Sequence, residues 1–268
     1  MLSNFHTHTD FCDGKSTIDE IVLKAIEKGF DAIGFSGHAY TDFDNSYCMQ
    51  DTAGYIMEVR AASEKYKNKI QVYLGTEEDI FGEADRGLYD YIIGSSHYIK
   101  KDGQFYDVDG SYETLKTCIN AFGGDTIAYA EAYFNTFCQY ILRRKPDIVG
   151  HFDLIEKFNS NKTLFDTNSD EYKEIVREAV KVIAENCPGQ IFEVNTGAMY
   201  RLKNDLIYPS SYIMECIKEY GMNVTINSDS HCVNSLDFGF ETALNYCRNH
   251  GFKSVYMLKN GIFEEICI

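Results

Sequence analysis

Histidines and carboxylates recur in this sequence at spacings that suit metal binding. His6 and His8 stand two positions apart. In a strand, side chains at i and i+2 point to the same side, so both imidazoles can reach one ion. Asp229 and His231 repeat this spacing with a carboxylate and an imidazole. Such ligands without thiolate suit zinc, manganese or iron, and the chemistry they indicate is metal-assisted hydrolysis.

The candidate ligands are too numerous for a single ion. Six of the seven histidines lie at or just past the ends of predicted strands, and three carboxylates join them. The nine candidates are His6, His8, Asp13, His38, Glu77, His97, His151, Asp229 and His231. A tetrahedral or octahedral ion cannot use nine ligands. We therefore expect two or three divalent ions that share a bridging carboxylate, for which Glu77 is best placed.

Short apolar runs alternate with helix-period segments along the chain. Strands are predicted at Leu2–Phe5, Ala32–Phe35, Gln71–Leu74, Tyr91–Gly94, Ile148–Gly150, Ile191–Val194, Val224–Ile226 and Ser254–Met257. The first helix has a capping box of Thr17 and Glu20. Alternating strands and helices favour a parallel sheet, and about eight units favour an α/β barrel over an open sheet. In a barrel, the C-terminal strand ends meet at one rim, which would gather the candidate ligands.

Length and composition favour a single globular domain that spans residues 1–268. Hydrophobic residues make up 44% of the chain, and no linker or repeat interrupts it. The net charge of −16 disfavours nucleic acid and anionic membrane as partners. The nine cysteines form no C-x-x-C pair, which favours reduced thiols. With no signal peptide or membrane-length apolar run, we expect a cytoplasmic protein whose partner is a small molecule.

The order of the motifs resembles that of the PHP superfamily (polymerase and histidinol phosphatase). The motifs are HTHTDFCDG from residue 6, Ser36-Gly37-His38, Gly75-Thr76-Glu77-Glu78-Asp79, Gly94-Ser95-Ser96-His97, Gly150-His151-Phe152-Asp153 and Asn227-Ser228-Asp229-Ser230-His231. The segment Glu193-Val194-Asn195-Thr196 is similar to a motif of the histidinol-phosphatase branch. The resemblance implies a distorted (β/α)7 TIM-like barrel with a trinuclear metal site at the C-terminal rim of the strands.

The resemblance also implies how the ligands divide among three ions. One ion takes His6, His8, Glu77 and Asp229, a second takes Glu77, His97 and His151, and the third takes Asp13, His38 and His231. Asp13 stands where many family members have histidine. The Gly-x-Glu-x-Asp register favours Glu77 over its neighbour Glu78 as the bridge.

For phosphate binding, the resemblance indicates Ser95 and Lys157. A family arginine is missing at Gly197, and Arg201, four residues further on, is the expected replacement. The alternative is that Lys157 and Arg201 are solvated surface charges.

The activity implied is that of a metal-dependent phosphomonoesterase, foremost a histidinol-phosphatase of histidine biosynthesis. It would hydrolyse L-histidinol phosphate with a hydroxide that the ions activate. Asp229 or a metal-bound histidine neighbour would manage a proton at the nucleophile, and a water on the third ion, near Asp13 and His38, would protonate the leaving group. Asp153 is another candidate acid, or else it orients an imidazole.

Two other functions stay open at this point. One is a PHP phosphoesterase that acts on a nucleotide or another small phosphate ester, because the metal ligands serve the phosphate and not the leaving group. The other is a metal-binding scaffold without catalysis. Asp42 or Glu113, among aromatic residues of the rim loops, could meet the ammonium group of histidinol phosphate.

Overall fold

Seven parallel strands form a nearly closed barrel in the computed structural model, which describes residues 2–159 and 163–268. In spatial order, the strands are β1 (Ser3–Asn4), β2 (Ala32–Phe35), β3 (Gln71–Asp79), β4 (Tyr91–Ser95), β7 (Ile148–Val149), β8 (Ile191–Asn195) and β9 (Asn223–Asn227). Beyond β1 and β9, Thr7 and Ser230 form a parallel bridge that joins the first strand to the last. The expected distorted seven-stranded barrel is confirmed.

Helices cover the outside of the barrel and enclose the hydrophobic core between themselves and the sheet. They are α1 (Ile18–Glu27), α2 (Thr52–Tyr66), α3 (Tyr112–Ala121), α4 (Thr126–Arg144), α5 (Asp170–Asn186), α6 (Gly197–Leu202), α7 (Ser211–Glu219) and α8 (Phe240–Asn249). The predicted capping box of Thr17 and Glu20 begins α1. Within residues 2–159 and 163–268, no helix is long and apolar enough to span a bilayer.

A tyrosine fills the interior of the barrel beneath the rim. The hydroxyl of the buried Tyr91 donates to the backbone oxygens of Phe5, at 2.6 Å, and Phe35, at 3.2 Å. A Cβ atom at Gly34 or Gly75 would come within 2.4 or 2.3 Å of the Tyr91 side chain. Both positions therefore need glycine, because a larger residue would expel the ring that ties three strands together.

The expectation of about eight strand–helix units was wrong at the last unit. The predicted strand Ser254–Met257 belongs to an antiparallel hairpin of β10 (Ser254–Lys259) and β11 (Ile262–Cys267) outside the barrel. The cause is the turn Asn260-Gly261, where both residues have positive φ and return the chain on itself. The ring of Phe263 packs edge-on against Phe5, 6.3 Å between centroids.

An insertion after β4 builds part of the rim. It holds the hairpin of β5 (Tyr98–Lys101) and β6 (Gln104–Asp107), followed by α3. Phe105 of this hairpin stacks on Phe43 of the loop after β2, with ring centroids 4.4 Å apart. The tyrosine hydroxyl of Tyr98 donates to Asp44 Oδ2 at 2.5 Å. These contacts hold two loops together beside the strand ends.

Candidate active site

All nine side chains predicted as ligands lie together at the C-terminal rim of the barrel. They come from the ends of β1, β2, β3, β4, β7 and β9 and from the loop after β1. Groups of three or four of their nitrogen and oxygen atoms lie within 4.8 Å of one another. Seven of the nine residues are buried, whereas the side chains of Asp13 and His231, at the edge of the cluster, are 35% and 22% exposed.

Glu77 occupies the centre of the cluster, and its two oxygens face different imidazoles. On one side, Glu77 Oε2 lies 3.2 Å from His6 Nε2 and 3.5 Å from His8 Nε2. On the other side, Glu77 Oε1 lies 3.0 Å from His151 Nε2 and 3.4 Å from His97 Nε2. This two-sided arrangement is the one that a carboxylate bridging two ions requires.

Asp229 and Asp13 both contact the imidazoles of His8 and His231. Asp229 Oδ1 lies 3.2 Å from His8 Nε2 and 3.6 Å from His6 Nε2. Asp13 Oδ2 lies 3.0 Å from His231 Nε2, and its Oδ1 lies 3.7 Å from His38 Nε2. His38 also reaches inward, with Nδ1 3.0 Å from Glu77 Oε2.

Three atoms at the centre fit a bound cation. His6 Nε2, His8 Nε2 and Glu77 Oε2 are buried and form no hydrogen bond within the described residues, despite the close approach of His38 Nδ1 to Glu77 Oε2. A buried polar atom without a partner loses the solvation free energy that water would supply. Here three such atoms from two strands converge, and their chemistry of imidazole nitrogen and carboxylate oxygen is that of zinc, manganese or iron ligands.

The electrostatics of the cluster keep its carboxylates ionised. Burial favours the neutral acid at Glu77, but His6 and His38 hold the pKa of that carboxyl well below its ordinary value. Burial acts the same way at Asp229, where the Arg201 guanidinium and His6 lower the pKa well below the ordinary value. Both groups are therefore available as anionic ligands across the neutral pH range.

Glu78 points away from the cluster, as the alternation of side chains along β3 requires. Its carboxylate is fully buried and accepts from Arg144 Nη2 at 2.6 Å and from the hydroxyl of Tyr140 at 2.8 Å, both on α4. Glu78 anchors the strand to this helix, and Glu77 alone of the pair faces the other ligands.

Arg201 contacts the cluster, although 29% of its side chain is exposed. Its Nη2 donates to Asp229 Oδ2 at 2.7 Å, and Nη1 donates to the backbone oxygen of Asp229 at 3.1 Å. A Cβ at Gly197 would lie 2.9 Å from Arg201 Nη2. Glycine at 197 thus leaves the space that the guanidinium occupies.

Lys157 and Ser95 lie close to the same rim. The side chain of Lys157 is only 13% exposed, and its Nζ is paired with Asp109 Oδ2 at 2.7 Å. The Ser95 hydroxyl, at the end of β4, is buried and without a hydrogen-bond partner in the described residues.

Asp153 is buried but is not among the clustered ligand groups. Its Oδ2 accepts from the backbone N–H of Ser210, just before α7, at 2.7 Å. Burial raises the pKa of Asp153 to about 6, so the carboxyl keeps its proton to higher pH than an exposed aspartate.

A cavity of about 250 Å³ opens beside the cluster. Three proposed ligands, Asp13, His38 and His97, form its inner wall, and the outer wall carries carboxylates and aromatic rings: Asp44, Tyr47, Tyr98, Asp107 and Asp109. Asp42 and Glu113, the acidic residues considered from sequence, are exposed and do not line it. The cavity is therefore acidic, but through residues of the loop after β2 and of the β5–β6 insertion.

Sequence reasoning gave no role to two buried carboxylates that contact the ligands. Glu193 of β8 accepts from His6 Nδ1 at 2.7 Å. Asp79 accepts from the backbone N–H of His97 at 3.0 Å. The available signal was a charged residue inside an otherwise buried strand, which needs a partner at the same depth.

Known proteins match this chain over most of its length. The PHP domain family matches residues 4–197. The histidinol-phosphatase of Bacillus subtilis (strain 168) is 26% identical over 267 residues, covering 90% of this chain and 98% of that protein. The probable histidinol-phosphatase of Schizosaccharomyces pombe is 25% identical over 285 residues, covering 97% and 90%. The crystal structure of histidinol phosphate phosphatase from Lactococcus lactis, complexed with zinc, L-histidinol and phosphate, has a TM-score of 0.71 at 19% identity and covers 98% of each chain. The chain belongs to the PHP domain family.

Proposed function

We propose that this protein is a metal-dependent phosphomonoesterase that hydrolyses L-histidinol phosphate to L-histidinol and phosphate, a step of histidine biosynthesis. The observation that carries the proposal is the position of Glu77, with imidazoles on both of its oxygens. Support for the substrate comes from the relatives named histidinol-phosphatase and from the L-histidinol and phosphate in the Lactococcus lactis structure.

The nine ligands would hold two or three divalent ions. We assign His6, His8, Glu77 and Asp229 to one ion, Glu77, His97 and His151 to a second, and Asp13, His38 and His231 to a third. Zinc, manganese and iron all suit these ligands, and zinc is present in the Lactococcus lactis structure. Such ions, when bound, lower the pKa of water to give a nucleophile and neutralise phosphoryl oxygens.

Three side chains of the rim would bind the phosphate. Arg201 offers a planar fork of N–H donors, part of which already contacts Asp229. Lys157 adds a second positive charge, and the Ser95 hydroxyl has no competing hydrogen-bond partner among the described residues. The phosphate would thus lie between the cations of this rim and the ligand cluster, where its negative charge is compensated.

The acidic cavity suits the leaving group of this substrate. L-histidinol carries an ammonium group and an imidazole, and Asp44, Asp107 and Asp109 supply carboxylates to meet them. Because Asp13 and His38 lie on the inner wall, they are placed to direct a proton to the departing alkoxide. Asp229, whose Oδ1 lies 3.2 Å from His8 Nε2, would accept a proton from the attacking water.

Asp153 would act mainly through His151 rather than on the substrate. It lies two residues beyond this histidine, and its hydrogen bond fixes the loop to Ser210. We assign it a positioning role that also keeps a proton within the site up to about pH 6.

Phosphate release from L-histidinol phosphate, beside nucleotides and sugar phosphates, tests the proposal with protein loaded with Mn²⁺, Zn²⁺ or Fe²⁺. We expect kcat/KM to favour L-histidinol phosphate by ~10³, because a site built for charged groups rejects substrates that lack them. The His8→Ala, Asp229→Ala double variant serves as the inactive control. Hydrolysis of other esters but not of L-histidinol phosphate would refute the assigned substrate. No hydrolysis of any ester by the metal-loaded protein would refute the phosphomonoesterase activity.

A further inference from the structure

Glu193 is a fully buried carboxylate directly behind the ligand cluster. Its Oε1 accepts from His6 Nδ1 at 2.7 Å and from Asn227 Nδ2 at 2.9 Å. Its Oε2 accepts from the backbone N–H of His151 at 3.0 Å and from Asn195 Nδ2 at 2.8 Å. A carboxylate has about four acceptor positions, so Glu193 is saturated by these donors and has no free position for an ion.

These bonds reach two of the proposed ion sites. Since an ionised carboxylate can only accept, His6 must carry a proton on Nδ1. That leaves His6 Nε2 free on the side of Glu77 and Asp229, at 3.2 and 3.6 Å. The bond to the His151 backbone fixes the strand end from which the His151 ring reaches the other oxygen of Glu77.

We propose that Glu193 is the positioning residue that sets the ligands of two metal ions at once. Its Oε1 orients the His6 ring for the first ion, and its Oε2 holds the backbone of His151 for the second. Asn195 and Asn227 fix the carboxylate in turn. Residues of β8 and β9 therefore hold His6, after β1, and His151, after β7, in position. This role concerns metal binding and does not depend on which phosphate ester is the substrate.

Glu193→Gln is the sharpest perturbation, because it keeps the size of the side chain and inverts half of its hydrogen bonding. The amide NH2 would face two donors in either orientation. In one orientation, the NH2 group would face the donors of His6 and Asn227. In the other, it would face the donors of Asn195 and the His151 backbone. Partners of this kind typically change metal affinity about 10- to 100-fold.

The matched control is Glu78→Gln, the same change at a fully buried carboxylate of β3 that points away from the cluster. Glu78 bonds Arg144 and Tyr140 and contacts none of the nine proposed ligands through the bonds described above. If the buried charge matters only for folding, both variants should have a lower melting temperature as metal-free proteins, and their zinc affinities should be equal.

The experiment compares zinc affinity, by competition with a chromophoric chelator, and zinc stoichiometry, by mass spectrometry of the metal. We expect Glu193→Gln to bind zinc roughly 10- to 100-fold more weakly at two sites, with Glu78→Gln at the wild-type value. Equal affinities in all three proteins, or equal losses in both variants, would overturn the proposal, as would a wild-type protein that binds no zinc.

If Glu193→Gln does not fold, Asn195→Ala replaces it, because this variant keeps the carboxylate and removes one of its donors. Weaker zinc binding in Asn195→Ala supports the positioning role, and unchanged binding overturns it.

Discussion

Removal of the Arg201 guanidinium is expected to weaken catalysis, because it removes N–H donors that would bind the phosphate. Arg201 makes two hydrogen bonds to Asp229, at 2.7 and 3.1 Å, and this leaves further N–H donors for a phosphoryl oxygen. A hydrogen bond to a charged group contributes about 1.5–3 kcal/mol. Since 1.36 kcal/mol is about tenfold in rate, we expect Arg201→Ala to lower kcat/KM roughly 10- to 150-fold.

Steady-state phosphate release measures this effect, with metal content determined in parallel because Arg201 also contacts a proposed ligand. Arg201→Lys should lie between wild type and alanine, since lysine keeps the charge but not the planar fork. Gly197→Ala should also lower kcat/KM, because its Cβ would lie 2.9 Å from Arg201 Nη2. Arg177→Ala, which breaks an exposed pair with Glu219, is the control. A kcat/KM for Arg201→Ala that stays near the wild-type value would refute the phosphate-binding role.

Three further predictions concern the barrel, a buried acid and the cavity. Tyr91→Phe leaves the Phe5 carbonyl without its donor and should lower the free energy of unfolding by about 1–3 kcal/mol in urea denaturation; an unchanged midpoint would contradict this. Asp153 has a raised pKa of about 6 against 3.8 unfolded, so its contribution is favourable at low pH and is lost as pH rises from about 4 to 6. Between pH 4 and 8, the free energy of unfolding of the metal-free wild type should fall by about 3 kcal/mol relative to that of Asp153→Asn. Parallel curves of unfolding free energy against pH for the two proteins would contradict the raised pKa. Asp44→Asn should lower kcat/KM for L-histidinol phosphate but not for a phosphate ester whose leaving group carries no charge. Equal losses on both substrates would argue against a contact between Asp44 and the ammonium group.

The grouping of the candidate ligands could be predicted from sequence because it depends on local rules. His6 and His8 share a side through the two-residue period of an extended chain, and the parallel sheet brings all strand ends to one rim. The same period separates Glu77 from Glu78, whose side chain lies against α4. The capping box at Thr17 is equally local, and it begins α1 as expected.

Features that depend on contacts between distant segments could not be read in this way. The carboxylates of the cavity, such as Asp44 and Asp109, come from loops whose positions are set by the packing of Phe43 on Phe105. Glu193 contacts His6 across 187 positions of sequence. The last hairpin departs from the strand–helix alternation for a different reason, because the Asn260-Gly261 turn, with positive φ at both residues, reverses the chain directly into a second strand.

The most direct test of the metal centre is anomalous diffraction at the zinc edge from crystals of the zinc-loaded protein. The account predicts two or three anomalous peaks at the rim, with separate peaks next to Glu77 Oε1 and Glu77 Oε2 at bonding distances of about 2.0–2.2 Å. A single peak that contacts only one of these oxygens, or no peak within the cluster, would contradict a shared, carboxylate-bridged centre.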